Sequence, residues 1–325
     1  MDKILVVEDL KVYYPLFKGV FRTMYAQIKA VDGIDFSIEQ GKTLGLVGES
    51  GCGKTTTGRG VLLLRRPAAG RICFLNQDLT QTHGENLRRL RRKMQIIFQD
   101  PYTSLDPSKT VASIISEPLK VHKVISDRYQ LRDEVSALLD LVKLDPGMAT
   151  RYPHEFSGGQ RQRIAVARAL ALRPSLVVCD EPVSALDVST QAQICELLVD
   201  LQEKLQLSYL FISHDLSVVR YVSDQVAVMY LGRIVEIGEA GEVCEHPQHP
   251  YTQALLSAVP IPNPHKEQQR QRITIGGEVP SAVNPPAGCR FHPRCREFRD
   301  GVCNVESPPF KEISAGHLVS CHIFA

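Results

Sequence analysis

A glycine-rich stretch that ends in lysine and threonine is the part of this chain whose residue types and spacing point most directly to chemistry. It reads Gly48, Glu49, Ser50, Gly51, Cys52, Gly53, Lys54, Thr55 and Thr56. Glycines let a backbone curl so that its N–H groups face a phosphate, while lysine reaches the outer phosphates and a threonine hydroxyl binds Mg²⁺. The apolar run 43–47 precedes this stretch and a helix-compatible segment follows it. The order strand, loop, helix favours a nucleoside triphosphate site over a glycine-rich turn with a surface lysine.

A second candidate half of the same site is an apolar strand that ends in two acidic residues. The run from Leu176 to Cys179 is followed by Asp180 and Glu181. We expect Asp180 to hold the Mg²⁺ shell and Glu181 to polarise an attacking water molecule. Because an intact phosphate loop lies upstream, we favour this interpretation over a solvated acidic pair.

A second anion site is predicted at the start of a long helix. Ser157 is a good N-cap, and Gly158 and Gly159 leave the backbone bare at the positive end of the helix, before Gln160. One nucleotide does not need two such sites in one chain. We therefore predict that this motif faces a nucleotide held by a second subunit.

These motifs, in this order, resemble the ATP-binding-cassette (ABC) ATPases over residues 4–235, and Ser157–Gln160 is similar to the signature motif of that family. The resemblance implies ATP and Mg²⁺ as ligands and the closure of two cassettes on two ATP molecules. It also implies a role for each matching residue. Gln99 is the Q-loop glutamine that senses Mg²⁺ and water, and Ser184 and Asp187 lie in the D-loop that crosses the dimer interface. His214 is the switch histidine at the γ-phosphate, and Tyr14 is the aromatic residue that stacks on adenine, with Tyr13 as the alternative.

Four of the nine cysteines lie in a tail that is rich in proline and glycine: Cys289, Cys295, Cys303 and Cys321. Such a tail buries little apolar surface by itself, so we expect a bound metal group to hold it together. Four thiolates suit an iron–sulfur cluster or a structural Zn²⁺, and a histidine, namely His292, His317 or His322, could replace one of them.

The tail also resembles the C-terminal extension of the oligopeptide and dipeptide permease ATPases, at residues 249–256, 277–281 and 284–295. Related ATPases with this tail carry a [4Fe–4S] cluster, so the resemblance favours the cluster and leaves Zn²⁺ as the alternative. Arg296 stands where the family usually has proline.

The alternation of strands and helices predicts an α/β phosphate-loop NTPase with a mainly parallel core sheet. We expect an antiparallel N-terminal β subdomain, an α-helical subdomain at about 100–163 and a small Cys-rich C-terminal extension. The predicted domains are a cassette at 1–240, a helix and linker at 241–275, and the extension at 276–325. The first strand is predicted to end at Pro15, with a loop over 15–29.

Composition bounds the partners. Lys and Arg number 38 against 36 Asp and Glu, so the net charge of +2 gives no reason to expect a nucleic-acid partner. The N-terminus lacks the apolar core of a signal peptide, and no apolar run is long enough to span a bilayer. We expect a peripheral protein at the cytoplasmic face of the inner membrane.

The resemblance implies the motor subunit of an importer for dipeptides or oligopeptides, similar to the second (F-type) of two unlike ATPases. The implied partners are a second homologous ATPase in a heterodimer, two transmembrane permease subunits and an extracytoplasmic substrate-binding protein. A homodimer is the alternative assembly, and nickel, glutathione or another small solute is the alternative cargo. Alternatives of a different class are a soluble cassette ATPase acting on ribosomes or DNA, and a small-molecule kinase.

Overall fold

The computed structural model describes residues 2–19, 23–259 and 273–324. Within them the chain forms twelve β-strands and ten α-helices. In chain order these are β1 (Lys3–Lys18), β2 (Thr23–Glu39), β3 (Thr43–Val47), α1 (Lys54–Val61), β4 (Ala69–Phe74), β5 (Gln77–Asp78), α2 (Gly84–Arg92), β6 (Met94–Ile97), α3 (Pro101–Ser104), α4 (Val111–Val121), α5 (Arg128–Leu141), α6 (Gly158–Leu170), β7 (Leu176–Asp180), α7 (Val188–Leu205), β8 (Ser208–Ile212), α8 (Leu216–Val222), β9 (Gln225–Tyr230), β10 (Arg233–Glu239), α9 (Ala240–Glu245), α10 (Pro250–Ala258), β11 (Phe310–Ser314) and β12 (His317–Ser320).

The chain divides into two compact units, which are described separately. Unit 1 comprises Met1–Asp2, Glu39–Lys42 and Gln81–Ile212; unit 2 comprises Lys3–Ile38, Thr43–Thr80 and Ser213–Ala325.

Unit 1 contains three parallel strands in the order β6, β7, β8. Every residue of β7 and β8 is buried, as expected for parallel strands that are covered on both faces. Between β6 and β7 the chain forms α3, α4, α5 and α6. The predicted helical insert is therefore present.

Unit 2 contains an antiparallel sheet in the order β2, β1, β4, β5, which is the predicted N-terminal β subdomain. In a second group of strands, β3 runs parallel to β9, and β10 pairs antiparallel with β9. All of β3 is buried. Helix α8 packs so closely on β3 that a Cβ atom at Gly45 would lie 2.3 Å from Val219 Cγ1.

The loop predicted over residues 15–29 is wrong for 15–18 and 23–29, which lie in strands, and residues 20–22 are outside the described residues. β1 continues through Pro15 to Lys18, and β2 begins at Thr23. The pairing of β1 with β4 reaches only to Lys11, opposite Ala69. Pro15 therefore lies beyond the pairing of β1 with β4, where the missing N–H of proline removes no hydrogen bond to β4.

The tail makes a contribution to the fold that the sequence analysis did not anticipate. β12 pairs antiparallel with β10, and β11 pairs with β12. Phe291 and Val319 are buried, with 2% and 0% of their surface exposed. The tail of unit 2 is thus held by sheet hydrogen bonds and by apolar packing. Most of the predicted linker, residues 260–272, lies outside the described residues.

A buried carboxylate joins β10 to the tail. Glu236 is fully buried; its Oε1 accepts hydrogen bonds from Gln248 N at 2.8 Å and pairs with His317 Nε2 at 2.8 Å, while its Oε2 accepts from His249 N at 3.0 Å. A buried carboxylate needs several such partners to offset its lost hydration. One side chain therefore connects β10, the start of α10 and β12.

In the described part of the chain, no helix is long and apolar enough to cross a membrane.

We predict that Glu236→Ala lowers the free energy of unfolding by about 3 kcal/mol or more, because it leaves buried donors without an acceptor. Urea unfolding followed by circular dichroism measures the change. Glu242→Ala is the control: its carboxylate is half exposed and pairs with His246 at 3.5 Å, so we expect a change within about 0.5 kcal/mol. Equal effects of the two substitutions would contradict the role given to Glu236.

Candidate functional site

In the predicted phosphate loop of unit 2, the backbone leaves room for glycine only at two positions. Gly48, Gly51 and Gly53 have φ angles of +153°, +80° and +114°. A Cβ atom at Gly48 would lie 2.1 Å from Met229 O, and one at Gly53 would lie 2.2 Å from Ala30 O. Any side chain at these two positions would collide with backbone, so the loop is pressed tightly against its surroundings.

Lys54 lies folded against this loop. It is 4% exposed, and its Nζ donates to Gly48 O at 2.8 Å and to Glu49 O at 3.0 Å. Helix α1 begins at Lys54, with Gly53 at its N-cap, and Thr55 and Thr56 lie half-buried in its first turn. The predicted order of strand, loop and helix is confirmed, and the positive end of α1 meets the loop.

The remaining loop residues divide into exposed and anchored positions. Ser50 and Gly51 are exposed, whereas Cys52 is buried, which raises the pKa of its thiol. Gly232 N donates to Cys52 O at 2.8 Å. The Glu49 carboxylate forms two hydrogen bonds with Arg294 of the tail.

The two candidate adenine-stacking tyrosines have different partners. The Tyr13 hydroxyl donates to the carboxylate of Asp32, and burial together with this contact raises the pKa of Tyr13 to about 12. Tyr14 presents its ring to the guanidinium of Arg65, 4.7 Å from the ring centroid. The Tyr13 hydroxyl is therefore engaged in a hydrogen bond with Asp32, while the Tyr14 ring stacks on the planar guanidinium of Arg65.

The predicted switch histidine, His214, also lies in unit 2. It is exposed and immediately precedes the N-cap of α8, Asp215, whose Oδ1 accepts from Ser217 N at 2.8 Å.

In unit 1 the acidic pair closes β7 as predicted. Asp180 is 3% exposed at the end of the strand. Glu181 has a left-handed φ of +48°, which is uncommon for a residue other than glycine. Gln99 Nε2 donates to Glu181 Oε2 at 2.9 Å. The structure thus brings together two of the predicted catalytic residues.

The predicted signature motif opens α6. Gln160 N donates to Ser157 Oγ at 3.4 Å, and Ser157 N donates to Gln160 Oε1 at 3.0 Å. This reciprocal arrangement is a capping box. A Cβ atom at Gly159 would lie 2.4 Å from Thr190 Cγ2, and one at Gly158 would lie 3.2 Å from Leu186 Cδ2. Close packing is therefore a second reason for glycine here, besides a bare backbone.

The two predicted D-loop residues make local contacts. Ser184 Oγ donates to Glu181 O at 3.1 Å. Asp187 caps α7 by accepting from Thr190 N at 3.0 Å, and its hydrogen bonds from Ser189 and Thr190 lower the pKa of its carboxyl.

We predict that Gly159→Ala destabilises the chain by about 1–3 kcal/mol, because the new methyl group overlaps Thr190 Cγ2. Adding Thr190→Ser removes that methyl group, keeps the hydroxyl that contacts Asp187, and should restore most of the loss. Thermal unfolding measures both.

Gly241→Ala is the matched control, since a Cβ atom there meets nothing within 4 Å. Failure of Thr190→Ser to restore the stability of Gly159→Ala would contradict the packing explanation.

The four tail cysteines line one small cavity in unit 2. Cys289, Cys295, Cys303 and Cys321 all border it, together with Phe291 and the histidines 249, 292 and 322. Burial raises the pKa of the Cys289 thiol to about 11, and it also raises those of Cys295 and Cys321. The three histidines proposed as alternative ligands have other partners: His292 contacts Cys289 O, His317 contacts Glu236 and His322 contacts Glu306 O.

His249 adds a polar atom to this cavity. It is 1% exposed, and its Nδ1 accepts from Tyr251 N at 3.1 Å. Burial lowers the pKa of His249 to about 3, so the ring is neutral and Nε2 carries its proton. Among the described residues, Nε2 has no hydrogen-bond partner.

The chemistry of these donors fits a group held by four thiolates, with an N–H donor beside it. Their positions are not those of a formed metal site, because no three Cys, His, Asp or Glu side chains in the described ranges are arranged to hold a metal ion.

Comparisons with known proteins identify the family of the chain. The family described as ABC transporter matches residues 31–184, and the family described as oligopeptide/dipeptide transporter, C-terminal region, matches residues 235–303. The chain is 50% identical over 325 residues to the oligopeptide transport ATP-binding protein AppF of Bacillus subtilis, covering 100% of this chain and 98% of that protein. It is 50% identical to the dipeptide transport ATP-binding protein DppF of Escherichia coli, covering 96% and 92%.

Solved structures show the same fold. A dimeric post-hydrolysis state of an ATP-binding cassette bound to ADP and Pi superimposes with a TM-score of 0.64 at 25% identity, covering 73% of this chain and 98% of that one. The cbiO1 protein of Clostridium perfringens, part of the ABC transporter complex cbiONQ, gives 0.64 at 28% identity, covering 76% and 92%.

At the level of class, a phosphate loop with this curvature and a capped glycine pair at the start of α6 define an ABC-type ATPase, an enzyme that hydrolyses ATP. The chain belongs to the oligopeptide and dipeptide ABC transporter ATP-binding proteins, because half of its residues are identical to such a protein over its full length.

Two residues at these sites were not identified from the sequence. Arg294, which contacts the phosphate loop, and His249, which borders the cysteine cavity, both lie in segments that resemble the permease ATPase extension, but nothing in those segments assigns either residue to a site. Only their distant contacts reveal them.

Proposed function

We propose that the chain is the ATP-hydrolysing motor subunit of an importer for dipeptides and oligopeptides. The observation that carries the proposal is the phosphate loop closed around Lys54, in a chain whose tail matches the oligopeptide/dipeptide transporter C-terminal region. The cassette then spans residues 1–240, a helix and linker follow at 241–275, and the extension spans 276–325.

In the proposed reaction, the N–H groups of the phosphate loop bind the β- and γ-phosphates and Lys54 contacts their oxygens. Thr55, Asp180 and Gln99 are the residues that would hold Mg²⁺, which neutralises charge on the phosphates. Glu181 accepts a proton from the attacking water. The hydrogen bond from Gln99 orients the Glu181 carboxylate.

The remaining site residues contact the nucleotide in this proposal. His214 is exposed and contacts the γ-phosphate, and Tyr14 stacks on adenine. The engagement of the Tyr13 hydroxyl with Asp32 supports Tyr14 over Tyr13.

We propose that Ser157–Gln160 binds the nucleotide of a second, homologous cassette, with Ser184 and Asp187 at the interface between the two. The positive end of α6 favours a phosphate there. The partner is a non-identical ATPase, and the pair attaches to two transmembrane permease subunits at the cytoplasmic face of the cell membrane. An extracytoplasmic binding protein delivers the peptide. These partners are proposed from the transport proteins that the chain is similar to.

We predict that Glu181→Gln lowers ATP turnover by at least ~100-fold while ATP still binds, because the base is lost and the phosphate loop is intact. Phosphate release and equilibrium ATP binding measure the two quantities. Mixed with its partner ATPase, the substituted chain should accumulate as an ATP-bound dimer on gel filtration. Glu203→Gln on the exposed face of α7 is the control and should leave turnover unchanged; unchanged turnover in Glu181→Gln would exclude Glu181 as the base.

We further propose that Cys289, Cys295, Cys303 and Cys321 hold a [4Fe–4S] cluster, with Zn²⁺ as the alternative. The supporting observations are four thiols around one cavity and a partnerless neutral N–H of His249 beside them. Four such ligands would cross-link the tail between residues 289 and 321.

We predict that protein purified without oxygen shows a broad charge-transfer absorption together with iron and acid-labile sulfide. Cys303→Ser should remove both, because a ligand is lost. Cys244→Ser, a cysteine that does not line the cavity, should keep them. A colourless protein with stoichiometric zinc would support the alternative, and a protein with neither metal would refute both.

A further inference from the structure

One arginine of the tail forms an ion pair with the phosphate loop. Arg294 Nη1 donates to Glu49 Oε2 at 2.9 Å, and its Nη2 donates to Glu49 Oε1 at 3.2 Å. The side chains of Arg294 and Glu49 are 7% and 26% exposed. Two parallel charge-assisted hydrogen bonds of this kind fix direction as well as distance, and partial burial limits screening by salt.

The backbone of Glu49 is held from two further sides. Glu49 N donates to Tyr251 Oη at 2.9 Å, and Glu49 O accepts from Lys54 Nζ at 3.0 Å. Tyr251 is fully buried, and its ring packs against Phe291 of the tail with ring centroids 5.3 Å apart. Lys54, the lysine proposed to contact the outer phosphates, is therefore bonded to Glu49, whose side chain is held by Arg294 of the tail and whose main chain is held by Tyr251 of α10.

Arg294 lies in a turn whose ends are two cavity cysteines, Cys289 and Cys295. The turn is closed by hydrogen bonds from Arg294 N to Phe291 O at 2.9 Å and from Cys295 N to His292 O at 3.2 Å. Arg290 in the same turn pairs with Asp32, the acceptor of Tyr13. The turn thus contacts two other segments of unit 2, at Glu49 in the phosphate loop and at Asp32 in β2.

We propose that Arg294 is a positioning residue for ATP binding: it neutralises and fixes Glu49 in the phosphate loop, and through it the cysteine-bearing turn of the tail sets nucleotide affinity. This inference rests on the proposed nucleotide site.

The physical reason is the charge of Glu49. Its carboxylate sits in a loop whose N–H groups are to receive a triphosphate, so an unpaired negative charge there repels the ligand. Paired with Arg294, the carboxylate is neutralised and its oxygens point toward the tail. Removal of Arg294 leaves both the repulsion and a mobile Glu49.

The test is equilibrium binding of ATP with Mg²⁺ to the full chain, measured by calorimetry. Arg294→Gln should raise the Kd by about tenfold, equivalent to ~1.4 kcal/mol. Arg294→Lys keeps the charge but has a single donor head, and it should give a smaller increase of about threefold. Thermal unfolding of each variant establishes that it is folded.

A second substitution separates charge from general disruption. Glu49→Gln added to Arg294→Gln removes the unpaired carboxylate, so affinity should return toward that of the unsubstituted chain. A merely structural role of the ion pair would give no such return. Arg296→Gln is the matched control two residues away: Arg296 is half exposed and contacts Glu297 and Gln253, so the Kd should not change.

An Arg294→Gln variant with a Kd within twofold of the unsubstituted chain would overturn the inference, and so would a double variant that binds no better than Arg294→Gln alone. Failure of the proposed nucleotide site looks different, because the unsubstituted chain and Arg296→Gln would then also fail to bind ATP.

Discussion

The backbone curvature between Gly48 and Gly53 is the constraint on which the nucleotide site depends. Both glycines touch carbonyl oxygens of other segments, Met229 and Ala30, at distances that leave no room for a Cβ atom. The loop therefore packs directly against β9 and β2, and a side chain at either position would require one of those strands to move. Lys54 is buried against two carbonyl oxygens of the same loop. The glycines of this short motif are thus required by contacts with strands elsewhere in unit 2.

Local chemistry made much of the fold and site predictable. A strand, a glycine loop and a helix leave a signature within a dozen residues, and the predicted N-cap at Ser157 lies directly before the helix that it starts. Contacts between distant residues leave none: Glu49 and Arg294 are 245 positions apart, and no pattern within either segment names the other. The error at Pro15 has a related cause, since whether proline interrupts a strand depends on which edge is paired, and that is set by β4.

Several residues in unit 1 have both a structural role and a proposed role in the chemistry. Gly159 offers bare backbone at the start of α6 and also lets α7 approach, because Thr190 occupies the space of a side chain. Asp187 has a predicted place in the D-loop and is also the cap of α7. Glu181 carries a carboxylate in a backbone conformation that costs energy, with Gln99 holding its orientation. A substitution at any of these positions changes architecture and chemistry together.

Glu236 has a consequence for protein engineering. Because its two oxygens serve β10, the start of α10 and β12, the cysteine-bearing extension shares its foundations with the cassette and is not a transplantable module. A chimera that grafts this tail onto another cassette would need that carboxylate, its three donors and the Tyr251 hydroxyl contact carried across as one block. A graft that begins at the predicted boundary near residue 276 would leave out Glu236, Gln248, His249 and Tyr251, which make these contacts.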